Sequence, residues 1–141
     1  MVKRAPQAGK TALLVHSDLN VLSILQSALT QQDIRTVVAR DLPTMLMAIT
    51  QHYFDVAVVG SRISEEGDGW PVASVLRMVF PNAFLAVVAP RTDVLTLKAA
   101  INSGINEVFE SGRTPQEIAS QIIAHMATRR KVKEVNPTTV Q

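Results

Sequence analysis

Phe54-Asp55-Val56-Ala57-Val58-Val59 runs into Gly60 and then a polar loop, Gly60 to Gly69, that holds three glycines and three acids in ten residues. Four consecutive apolar residues without polar alternation predict a strand covered on both faces, as in a parallel sheet between helices. The loop is longer than most strand-to-helix connections, which makes it a candidate functional site. Similar signals extend in both directions. Toward the N-terminus, Ala12-Leu13-Leu14-Val15 and Thr36-Val37-Val38-Ala39 predict two more strands. After the first, Val21, Ile24, Leu25, Ala28 and Leu29 recur at helical spacing, with Ser17 or Asp18 as the cap. After the second, Asp41 and Pro43 open a helix striped by Leu42, Met45, Leu46 and Ile49.

Toward the C-terminus, Val72, Val75, Leu76 and Val79 predict a third helix that stops at Phe80-Pro81, because the residue before proline is pushed out of the helical region. Phe84 to Val88 predicts a fourth strand. Val94, Leu97 and Ile101 mark a fourth helix, closed by Gly104 as a left-handed cap. Val108-Phe109 belongs to a short fifth strand, and Thr114-Pro115-Gln116-Glu117 is a capping box ahead of Ile118, Ile122 and Met126. Five strand–helix pairs in sequence predict an α/β fold of three layers, a parallel sheet with right-handed crossovers and helices on both faces.

At 141 residues the chain fits one domain, here 11–128, between a basic N-terminal tail, 1–10, and a basic C-terminal tail or linker, 129–141. With hydrophobic residues at 47% and charged residues at 18%, it has the material for a sizeable core, which excludes a disordered polypeptide. The absence of cysteine excludes disulfide scaffolds, thiolate metal sites and cysteine nucleophiles, and suits a reducing cytoplasm. No apolar run approaches the roughly 18–20 residues that span a bilayer, and residues 1–10 lead to no cleavage-type site, so the expectation is an unexported cytoplasmic protein without a membrane partner. The net charge is +2, yet each tail carries +3, which leaves the body between them at −4. That distribution points away from nucleic acid, which needs cations gathered on one folded face.

In sheets of this kind function sits at the carboxyl ends of the strands, which singles out His16, Ser17 and Asp18, the loop from Gly60, Ala89 and Pro90, and Ser111 and Gly112. With Phe54-Asp55 before the third strand, Asp68-Gly69 opening the third helix and Gly104-Ile105-Asn106-Glu107 before the fifth strand, residues 11–127 resemble a bacterial response regulator receiver domain. The resemblance implies a CheY-like, flavodoxin-like fold with strand order 2-1-3-4-5, and in that family an aspartate phosphorylated from a partner histidine kinase. At the positions it implies for that chemistry, His16 and Ser17 replace two Mg²⁺-binding acids, with Asp18 one position late. Gly60 replaces the phosphoacceptor, Ala89 the hydroxyl residue and Ser111 the lysine, with Gly112 in place of the usual proline. Nucleophile, metal ligands and the cation that receives the phosphoryl charge are all replaced. The resemblance thus implies a pseudo-receiver: fold and partner class without catalysis, metal or cofactor.

Other polar groups have simpler roles. A flexible acidic loop holding Glu65, Glu66 and Asp68 is more often solvated than a cation site. His16-Ser17-Asp18 contains the residue types of a hydrolase triad, but adjacent residues do not align in one hydrogen-bonded line. Gly9-Lys10-Thr11 lacks the preceding strand and the earlier glycine of a phosphate-binding loop. His52 and His125 fall at helix ends, and Trp70 is expected to be partly buried. Three glycines make ordering the Gly60–Gly69 loop costly, so it is expected to be loosely held. Two functions remain: a phosphorylation-independent module that binds a signalling protein or itself, and a small-molecule or nucleotide site at the strand ends. The resemblance implies a partner face on the fourth helix, fifth strand and fifth helix, where Arg91, Lys98, Glu107, Glu110 and Arg113 form a mixed-sign set suited to a weak homodimer.

Overall fold

A computed structural model describes residues 10–65, 67–110 and 112–126. Strands and helices alternate: β1 (Thr11–Val15), α1 (Leu19–Thr30), β2 (Arg35–Ala39), α2 (Leu42–Gln51), β3 (Val56–Gly60), α3 (Gly69–Val79), β4 (Phe84–Ala89), α4 (Val94–Asn102), β5 (Glu107–Glu110) and α5 (115–126). The five strands form one parallel sheet in the order 2-1-3-4-5. The apolar strands β1, β3 and β4 occupy its centre and are buried along their whole length, as uninterrupted hydrophobicity requires. The edge strands β2 and β5 are the ones with exposed residues.

Alternating strand side chains feed two cores. On one face Leu13, Val15, Ala57, Val59, Leu85 and Val87 meet Met45 and Ala48 of α2 and Val72, Ala73 and Leu76 of α3. On the other, Leu14, Val58, Ala86 and Phe109 meet Leu22, Leu25 and Leu29 of α1 and Ile118 and Ile122 of α5. From β2 onward the chain crosses the sheet in one direction until β5, so right-handed crossovers put α2, α3 and α4 on the same side.

The helix ends follow their local chemistry. Asp18, Asp41 and Asp93 accept the N–H groups of Asn20, Thr44 and Thr96, each at 2.9 Å, capping α1, α2 and α4. Thr114 and Glu117 exchange side-chain to backbone bonds at 3.1 and 3.2 Å, completing the capping box of α5. Gly104 follows α4 with φ +73°, the left-handed conformation expected there. One helix is oriented unexpectedly. In α4 only Ala100 is buried, whereas Val94, Leu97 and Ile101 are 72%, 47% and 77% exposed. The apolar stripe marks the helix correctly, but the helix packs through its small side chains and turns that stripe to solvent.

Candidate functional site

The carboxyl ends of β1, β3 and β4 converge on Gly60. A Cβ on Gly60 would lie 2.9 Å from Cδ2 and 3.3 Å from Nε2 of His16, so the imidazole lies beside the space where a longer side chain would begin. His16 Nδ1 in turn accepts the Asp18 N–H at 3.0 Å. Burial pushes the His16 imidazole below its ordinary pKa, and the nearby Asp18 carboxylate pulls weakly the other way. His16, Ser17 and Asp18 do not form a nucleophile–base line. The Asp18 carboxylate caps α1, and the Ser17 carbonyl accepts from Arg40 at 3.2 Å.

The loop after β3 is more firmly tied than its glycines imply. One Asp68 oxygen accepts the Ile63 N–H at 2.6 Å, and the other accepts those of Ser64 and Glu65 at 2.8 and 2.9 Å. Desolvation pushes the Asp68 carboxyl up, but the backbone N–H groups of Ile63, Glu65, Ser64 and Asp68 itself together outweigh it and hold its pKa below the ordinary aspartate value. Ser61 N–H reaches Val88 O at 2.8 Å, and Gly69 N–H reaches Ser61 O at 3.0 Å. A Cβ on Gly69 would run into the Gly60 carbonyl, so the first turn of α3 sits against the end of β3 only because position 69 is glycine. The expectation of a loosely held loop is therefore corrected for its described residues. Both oxygens of Asp68 are occupied by backbone donors, and Glu66 lies outside the described residues. No cluster of three or more His, Cys, Asp or Glu residues suited to a metal ion occurs among the described residues.

Ala89 closes β4, buried, at the position of the implied hydroxyl residue. Ser111 lies outside the described residues, as do 1–9 and 127–141, and with them most of the two basic tails. Trp70 is partly buried against the core, as expected, and borders a cleft of about 510 Å³ with Ser61, Pro90, Asp93 and Leu95. At the opposite end of the sheet sits a polar cluster that residue patterning does not announce. The Arg77 guanidinium donates to the carbonyls of Gly104, Pro81 and Ala83 at 3.0, 2.7 and 2.9 Å and to Asn106 Oδ1 at 2.8 Å. Asn106 Oδ1 also accepts the Leu85 N–H at 2.8 Å, which gives the Gly104–Glu107 segment a structural task.

Similar solved structures share the whole architecture. One is a CheY-like response regulator receiver domain protein from Methanospirillum hungatei JF-1, at TM-score 0.77 and 15% identity over 87% of this chain and 98% of that one. The chain has the CheY-like receiver fold. A response regulator from Burkholderia pseudomallei, solved with a phosphorylated aspartic acid, has TM-score 0.70 and 16% identity, covering 85% of this chain and 74% of that one. An adenylate cyclase structure from Rhodopirellula baltica has TM-score 0.74 and 22% identity, covering 92% of this chain and 96% of that one. No family model and no curated protein matches the sequence. On this receiver fold the strand ends carry His16, Gly60 and Ala89 where the resemblance implies acid, aspartate and hydroxyl. No helix among the described residues is long and apolar enough to cross a membrane.

The charges on the fourth-helix side are partly engaged within the chain. Glu110 accepts from Thr92 N–H and Oγ1 at 3.1 and 3.0 Å, and Glu107 lies 3.4 Å from His125. Arg91 reaches Asp93 at 3.7 Å with both side chains exposed, a contact screened by solvent. Lys98 and Arg113 project without an ion pair among the described residues.

Proposed function

We propose that this chain is a signal-transduction module that uses the receiver fold without aspartyl phosphorylation and without catalysis, acting by binding a signalling protein or a second copy of itself. The observation that carries the reading is the end of β3. Gly60 offers no carboxylate to phosphorylate, and the His16 ring lies beside the space one would fill. The two residues after β1 supply no acid pair for Mg²⁺, since the Asp18 carboxylate caps α1 instead. With no chemistry to perform at the pocket, the working surface lies on the helical faces, and α4 is a helix whose apolar stripe is turned to solvent. On α4, Lys98 has no ion pair among the described residues, and Val94, Leu97 and Ile101 are exposed.

A small-molecule site draws support from the cleft between the starts of α3 and α4. Against a phosphate-bearing ligand, Asp93 occupies backbone donors at the α4 N-terminus and Asp68 occupies those of the preceding loop. The partner-binding reading is therefore preferred. Its test is Gly60→Asp, treated with acetyl phosphate and Mg²⁺ and read by intact mass. The expected result is no phosphoryl adduct, because the new carboxylate has neither metal ligands nor a charge-neutralising lysine beside it. A stoichiometric adduct would contradict the proposal.

A further inference from the structure

The two helical layers of the molecule differ sharply in what they show to solvent. Of the eleven exposed large hydrophobic side chains among the described residues, only Leu19 belongs to the α1–α5 side; the other ten lie on α2, α3, α4 or at Tyr53 just after α2. Met78 on α3 and Ile101 on α4 are the most open, at 79% and 77%. Charge is scarce there as well. The three helices together carry only Arg77 and Lys98, and the Arg77 guanidinium is committed to backbone carbonyls and Asn106. Exposed by 41% to 79%, the ten side chains present on the order of 1,000 Å² of apolar surface. One partner in a standard interface loses about 800 Å².

We propose that two copies of the chain pair through the outer surface of the α2–α3–α4 layer. The proposal rests on the partner-binding reading above and names the partner as a second copy of this chain. Within the three helices a strongly charged partner would find the Lys98 ammonium alone to match, whereas a second copy presents an equally neutral, equally apolar face. An isologous two-fold contact brings that face onto itself, and the long Lys98 stem can lie across the seam with its head in water. This surface differs from the charged α4–β5–α5 side, because α3 and Met78 belong to it and Arg113 does not.

The test is sedimentation equilibrium of the full 141-residue chain from micromolar to near-millimolar concentration, beside the variants Met78→Glu, Ile101→Glu, Leu19→Glu and Arg113→Glu, each first checked for folding by circular dichroism. The expected result is a dimer whose dissociation constant rises at least tenfold in Met78→Glu and in Ile101→Glu and is unchanged in Leu19→Glu and Arg113→Glu. Should either layer variant fail to fold, the other carries the comparison. A monomer throughout, or a dimer indifferent to Met78→Glu, overturns the proposal. A dimer broken by Arg113→Glu and not by Met78→Glu would overturn it while leaving the partner-binding reading intact.

Discussion

Substituting Gly69 by alanine tests how the start of α3 is seated on the sheet. Elsewhere in a helix the change is favourable by up to about 1 kcal/mol, because alanine loses less backbone entropy. Here the added methyl points at the Gly60 carbonyl and crowds the Cα of Ser61, and both neighbours are backbone. Backbone at the end of a buried central strand has little room to yield, so the overpacking cost falls toward the top of the usual range of about 1–3 kcal/mol. The Gly69 N–H bond to Ser61 O is strained by the same displacement. The net expectation is a loss of about 2 kcal/mol, which for a domain of this size lowers the melting temperature by roughly 8 °C. Thermal unfolding followed by circular dichroism measures it. Gly112→Ala is the control, since its Cβ meets nothing within 4 Å, and it should be neutral or slightly stabilising. A Gly69→Ala protein that melts with or above the parent would refute the close approach.

Replacing Asp68 by asparagine puts an amide where three N–H donors converge, and a loss of about 1–2 kcal/mol in urea unfolding is expected. Because the folded Asp68 pKa is depressed, its contribution is present above about pH 4 and fades as the pH falls below the ordinary aspartate value; the parent and Asp68→Asn should therefore converge in acid, and a constant gap speaks against the loop bonds. His16 likewise titrates below its ordinary value when folded, so the unfolded chain binds the proton first and stability should decline as the pH drops below about 6.5. In His16→Gln that part of the decline should vanish, and an unaltered pH profile would argue against a half-buried neutral imidazole.

Local chemistry was legible and long-range contact was not. The strands emerge within about a residue of their observed ends. The caps at Asp18, Asp41, Gly104 and Thr114–Glu117 fall where residue type places them, because each motif is contained in four or five residues. Periodicity located α4 but not its orientation: a spacing of three and four identifies an apolar stripe without saying whether core or solvent receives it. Asp68 reads as one acid in a flexible acidic loop until the chain curls back and presents three N–H groups to it. The same holds for the Arg77–Asn106 pair, 29 residues apart, and for the His16 ring at Gly60, which join elements that only the sheet topology makes neighbours.

The central claim is that the receiver fold operates here without its phosphoryl chemistry. Its most direct test is a titration of the isotope-labelled native chain with Mg²⁺ and beryllofluoride, a phosphoryl mimic, followed by amide NMR. The account predicts no saturable shift at His16, Asp18 or Gly60. Saturable shifts clustered at those residues, dependent on both reagents, would contradict it.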